Sequence, residues 1–187
     1  MSEDMTRLTL RLAKPEDVPA LTALMNAAIA ELLTPFLPPE GVAASFEVMG
    51  LDSQLIADGT YFVVQDGEAI AGCGGWSRRA TLFGGDHSAG RDAAMLDPVR
   101  DAARVRAMYT HPDHTRKGVG RMILAACEQA AAGEGFSRAE MAATMGGVPL
   151  YEACGYEAIE PFTAPTSKGY DVPLVRMGKA LTPAPVR

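Results

Sequence analysis

The 187-residue chain is short of cysteine, of long apolar runs and of positive charge. Its three cysteines, Cys73, Cys127 and Cys154, show no CxxC spacing, which argues against a disulfide framework and fits a reducing compartment. No segment reaches the ~20 uninterrupted apolar residues of a membrane span. Residues 1–11 carry Glu3, Asp4, Arg7 and Arg11 and lack the apolar core of a signal peptide. A soluble, cytoplasmic protein without a membrane partner is expected. Lys and Arg number 17 against 23 Asp and Glu, for a net charge of −6. That balance excludes a broad nucleic-acid-binding face and leaves room only for a local basic patch. Internal repeats, low-complexity tracts and a second core are also missing, so a single domain over 1–187 is expected, with residues 182–187 as a frayed tail.

The composition that is present, 48% hydrophobic and 21% charged, is that of a globular protein. Leu8, Leu10 and Leu12 alternate with Thr9 and Arg11, which predicts a half-buried strand. Val18, Leu21, Met25, Ala28, Ile29 and Leu32 then fall on one helical stripe, with Pro19 tolerated in its first turn. Pro35, Pro38 and Pro39 end that helix, and a second helical region spans 40–57 with a break near Gly50. Apolar runs from Tyr61 and from Ala69 to Trp76 flank an Asp66-Gly67 hairpin turn. From Arg78 to Ala102 the chain turns polar and Gly-rich, longer than an ordinary connection, and is read as a lid. Further strands are expected at 104–110, 137–142, 156–163 and 172–177, and helices at 118–133 and 148–154.

Chemistry concentrates between Thr110 and Arg121, where strand passes to helix. Gly118 and Gly120 remove side chains where backbone could approach a ligand, and the first helical amides lack intrahelical partners. The helix dipole adds positive potential. Arg116, Lys117 and Arg121 form the densest basic cluster of an acidic chain, so a phosphate-bearing anion is expected here. A tight turn with a solvated cationic face reads the same residues equally well. The dinucleotide GxGxxG pattern fails after Gly120, and no Gly-Lys-Ser/Thr of a P-loop is present.

Strand, His111-Pro112-Asp113, a basic Gly-x-Gly turn and an amphipathic helix together resemble the acetyl-CoA motif of the GNAT N-acetyltransferase superfamily, Gln/Arg-x-x-Gly-x-Gly/Ala. Thr115 stands at the Gln/Arg position and lacks its long donor. The resemblance implies that backbone amides of Thr115, Arg116, Lys117, Gly118, Val119, Gly120 and Arg121 hold the diphosphate of acetyl-CoA, and that Met108, Tyr109 and Thr110 hold its pantetheine arm. Val148-Pro149-Leu150-Tyr151-Glu152 through Gly155-Tyr156 is similar to a second family segment. It makes Tyr151 the acid for the departing thiolate, where a core tyrosine is the alternative. Gly146 replaces an asparagine common in relatives.

The fold so implied is α/β (α+β): a mostly antiparallel sheet of about seven strands, splayed between the fourth and fifth, with helices on both faces. The activity implied is acetyl transfer from acetyl-CoA as co-substrate to a primary amine of a small molecule or peptide by direct attack; a non-catalytic acyl-CoA-binding module is the alternative. Relatives are often homodimers. No metal is expected, since His111, His114 and His87 lack an acidic or Cys cluster. Glu31, Glu47, Asp86, His87 and Asp92 are base candidates by region only. Arg104 and Arg106 stand where many relatives carry an acid. Cys73 reads as packing rather than as a nucleophile, and Trp76, Leu82 and Phe83 either line an acceptor pocket or pack the covering loop down.

Overall fold

The computed structural model describes residues 8–185; the expectations for residues 1–7 and for 186–187 lie outside the described residues. Strand β1 (Leu8–Leu12) is followed by a 3₁₀ turn at Pro15–Asp17 and helices α1 (Val18–Leu32), α2 (Pro39–Val48) and α3 (Ser53–Ala57). Strands β2 (Tyr61–Asp66), β3 (Ala69–Ser77) and β4 (Ala103–Thr110) come next. They are followed by α4 (Val119–Gly133), β5 (Arg138–Thr144), α5 (Val148–Ala153), β6 (Glu157–Ala164) and β7 (Val172–Ala180). Pro39 opens α2 at its first position, where a missing N–H costs nothing. The β2–β3 turn is Gly67-Glu68, one residue later than the Asp-Gly reading, because Asp66 pairs with Ala69; Gly67 takes φ +61°, as the first central residue of a tight hairpin turn requires.

The seven strands form one sheet in the order β1-β2-β3-β4-β5-β7-β6. Every neighbouring pair is antiparallel except β4 and β5. Those two pair only at Ala103–Ala139 and Arg104–Glu140 and then diverge. This is the expected fold, splay included. Strand alternation sends Val63 to a core under α1 with Leu21, Met25 and Ile29, and Val64 to a core under α4 with Ile123 and Cys127. Burying a side chain of this size contributes about 1.5–3 kcal/mol. The small residues of β3 let α4 approach, since Val119 and Ile123 already fill the space beside Gly72 and Gly74.

Opposite Gly74, β4 carries one extra residue: Cys73 pairs with Tyr109 but Gly75 pairs with Arg106. Ala107 in this bulge has φ +50°, and its carbonyl is turned to accept from the Tyr61 hydroxyl at 2.7 Å. The bulge sits where β4 leaves β5, so local irregularity and sheet opening coincide.

Candidate active site

The opening between β4 and β5 is a solvent-accessible cleft of about 590 Å³, part of it open solvent. Its floor is β4 from Val105 to Tyr109, and its walls come from the end of α2, Leu82–Gly84, β5, Leu174 and Tyr151. Beyond Arg104, β4 has no pairing with β5, so backbone groups on that edge are available to a ligand.

Of the sequence-derived candidates, Met108, Tyr109 and Tyr151 line this cleft. Tyr151 projects from α5, is 8% exposed, and meets Tyr156 edge to face at 6.1 Å. Its hydroxyl makes no hydrogen bond to the described residues. Burial raises the phenol well above its ordinary value, so it keeps its proton through neutral pH. Gly147 seats the ring, because a Cβ there would fall 2.7 Å from Tyr151 Cε2. The Tyr109 oxygen accepts the Gly50 N–H at 2.8 Å, and burial raises that phenol too. Gly146 lies beside Phe36 and the Leu32 carbonyl, with room for a Cβ at ordinary contact distance.

Thr115–Arg121 lies at the other end of the opening. Arg116 and Gly118 both have positive φ, +62° and +82°, and Gly118 is the N-cap of α4. A Cβ on Gly118 would meet nothing within 4 Å, so the space over the turn can receive a ligand. Thr115, Arg116, Lys117 and Arg121 are exposed, and the Thr115 hydroxyl donates to the Pro112 carbonyl at 3.3 Å. Gly120 also has a packing part: its Cβ would fall 2.5 Å from Leu150 Cδ2. Its smallness brings α4 against α5 and links the turn to Tyr151.

Other candidates are placed elsewhere. Trp76 does not line the cleft; it is 2% exposed and packs on Phe136 at 6.0 Å. Leu82 and Phe83 do line it, and Phe83 packs on Phe162 at 5.7 Å. None of Glu31, Glu47, Asp86, His87 or Asp92 is in the lining. The Glu47 carboxylate receives the Ser167 N–H and hydroxyl, Asp86 receives the Ser53 N–H, and His87 Nε2 meets the Phe46 carbonyl at 2.7 Å. Asp92 receives the Ala94 N–H within its own segment. His114 pairs with Asp66 at 3.2 Å, and no three His, Cys, Asp or Glu side chains among the described residues gather to hold a metal. Cys73 is fully buried, and burial pushes its thiol up to about 12, which removes it as a nucleophile.

One feature escaped the sequence reading. Asp52, at the start of α3, accepts from Arg106 and from Arg91, each at 2.9 Å. Arg106 also donates to the Thr81 and Gly84 carbonyls. Burial lowers Arg106 below the ordinary guanidinium value, and Asp52 opposes that shift. This network fastens segment 78–102 to the cleft floor, and Arg79–Asp58 and Arg78–Glu134 fasten its base. Fifty-four positions separate Asp52 from Arg106, so no spacing rule could have found the pair.

Residues 57–158 match the family model of the acetyltransferase (GNAT) domain, more than half of the chain. The chain belongs to the GNAT acetyltransferase family. An uncharacterized N-acetyltransferase of Bacillus subtilis (strain 168), YsnE, is 26% identical over 135 residues, covering 70% of this chain and 74% of that protein. A GCN5-related N-acetyltransferase structure from Rhodopseudomonas palustris superposes with a TM-score of 0.69 at 20% identity, covering 97% of this chain and all of that one. The structure of YncA from Salmonella typhimurium with its cofactor acetyl-CoA gives 0.65 at 18% identity, covering 97% and 98%. The GNAT fold is thus shared along nearly the whole described chain, and acetyl transfer is the family's activity. No helix among the described residues is long and apolar enough to cross a membrane.

Proposed function

We propose that this GNAT protein transfers the acetyl group of acetyl-CoA directly to a primary amine, with the cleft between β4 and β5 as its reaction chamber. The observation that carries this reading is the Tyr151 hydroxyl, neutral and without an internal partner in a cleft joined to the α4 N-terminus through Leu150 and Gly120. Bound acetyl-CoA supplies the acetyl group as a thioester, so transfer forms one C–N bond and breaks one C–S bond; the amine yields one proton to solvent and the departing sulfur gains one.

In this reading the amides from Thr115 to Arg121, with the Arg116, Lys117 and Arg121 charges, hold the diphosphate at the helix N-terminus. Unpaired backbone groups of Met108 to Thr110 align the pantetheine arm, and an amide beside the Ala107 bulge stabilises the developing oxyanion. Tyr151 donates to the departing sulfur. With ordinary values, full proton transfer from a phenol to a thiolate is uphill by about 2 kcal/mol. Burial of Tyr151 raises that cost, which makes hydrogen-bond donation in the transition state its main contribution.

The test combines binding and turnover. Acetyl-CoA should raise the melting temperature, as a ligand bound only to the folded state must, and an amine panel should release free thiol. Tyr151→Phe should lower kcat about 100-fold while changing acetyl-CoA affinity less than twofold. Stabilisation without acetylation of any amine would favour a non-catalytic acyl-CoA-binding module, and absence of stabilisation would remove both readings.

A further inference from the structure

The acceptor side of the cleft has a chemical character of its own, whose interpretation rests on the acetyl-transfer reading above. An amine held as an ammonium ion in a low-dielectric cleft needs an anion beside it. Among the described residues, no Asp, Glu or His lines this cleft. Its walls are apolar: Val48 and Met49 at the end of α2, Leu82 and Phe83 on the covering segment, Met141 on β5 and Leu174 on β7. The titratable groups facing it are Arg106 and Tyr109 from β4 and Tyr151 from α5; α2, the covering segment, β5 and β7 contribute none.

None of those three groups supplies an anion to a bound cation. Arg106 is permanently charged and shares the single carboxylate of Asp52 with Arg91, so two cations face one anion. Tyr109 uses its oxygen to accept from Gly50 and has its own proton left to donate. Tyr151 is likewise a donor. Apolar walls, a nearby guanidinium and the lack of a lining carboxylate each lower the pKa of an amine placed among them. Asp52 is turned to Arg106 and Arg91, and Glu47 and Asp86, outside the lining, accept from Ser167 and Ser53.

We propose that the acceptor is a weakly basic amine on an apolar body, of the kind presented by the α-amino group of an apolar residue, and that lysine ε-amines and polyamines are poor acceptors. Such an amine enters already neutral, so the cleft needs no dedicated base. At pH 7.5 the neutral fraction of an α-amine exceeds that of a lysine amine by about 250-fold.

The experiment measures kcat/KM for phenylalanyl-alanine amide, aspartyl-alanine amide, Nα-acetyl-lysine amide and spermidine from pH 6.5 to 9, with acetyl-CoA stabilisation followed on the same protein. The phenylalanyl compound should exceed the lysine compound by about 250-fold at pH 7.5, and the aspartyl compound by more than tenfold. Its rate should level off above about pH 8, while the lysine rate rises about tenfold per pH unit. Comparable rates for lysine or spermidine, or a lysine rate already level below pH 8, would overturn the assignment and reveal a base. Equal rates for the two dipeptide amides would overturn its apolar part. Stabilisation by acetyl-CoA with any of these results leaves the cofactor reading standing and rejects the acceptor inference alone; stabilisation with no acetylation of any compound rejects the inference together with catalysis. No stabilisation by acetyl-CoA rejects the functional reading, and the inference with it.

Discussion

The two ends of the opening between β4 and β5 are built differently. At the α4 N-terminus, one contiguous run from Thr110 to Arg121 supplies turn, amides and charge, and its basic side chains are exposed. The cleft end, proposed above to receive the acceptor, is assembled from residues between Val48 and Leu174 and held by buried ion pairs and close packing. A ligand gripped by backbone needs only a local conformation, whereas a side-chain chamber needs long-range packing. The first end should therefore tolerate substitution in stability but not in cofactor affinity, and the second should show the reverse.

The sharpest way to break that contrast is Asp52→Ala. It would leave Arg106, whose side chain is 2% exposed, without its anion, and removing one partner of such a buried pair costs about 3–5 kcal/mol. Denaturant unfolding should show that loss, with the segment 78–102 becoming protease-sensitive. A cost below about 1 kcal/mol would mean that the network does not fasten the chamber.

Replacing Arg116, Lys117 and Arg121 together by alanine is the opposite probe. At about 1 kcal/mol for each charge near a helix N-terminus, the acetyl-CoA Kd should rise roughly 100-fold and lose most of its salt dependence. Unfolding free energy should move by less than about 0.5 kcal/mol. Unchanged affinity in calorimetry would take the diphosphate away from this turn.

The two glycines of the turn sharpen the comparison at single-residue scale. Gly118→Ala meets no neighbour and is penalised through its positive φ by about 1 kcal/mol, read as lower stability and weaker acetyl-CoA binding. Gly120→Ala drives a methyl into Leu150, the neighbour of Tyr151, so kcat should fall more than acetyl-CoA affinity. Equal effects of the two substitutions on affinity and kcat would erase the distinction drawn between them.

This asymmetry also explains what could be read before the structure. The elements follow from apolar periodicity, and the basic Gly-x-Gly turn is legible because its parts are adjacent in sequence. Trp76 is ambiguous on a strand without knowing which face meets Phe136. The packing part of Gly120 shows only once the fold places Leu150 beside it. The Ala107 bulge leaves no trace because alanine gives no warning of a positive φ. The Asp52–Arg106 pair leaves no sequence signal, since only the folded chain brings α3, β4 and segment 78–102 together.

The smallest expected effect concerns the base of that segment. Arg79 donates to both oxygens of Asp58 at 2.8 and 3.0 Å, and Gln54 adds a third bond at 2.9 Å. The Arg79 hydrogen bonds, chiefly, hold the Asp58 carboxyl below its ordinary value. A carboxyl depressed on folding contributes stability that is fully present above its unfolded value, near 3.8, and is lost as pH falls through the lower folded value. The melting temperature should therefore decline on acidification below about pH 4, and Asp58→Asn should flatten part of that decline while lowering stability slightly at pH 7. An identical acid limb in wild type and variant would show that the Arg79 pair forms no better in the folded chain than in the unfolded one, and segment 78–102 would then depend on Asp52 alone among the carboxylates of α3 and its flanks.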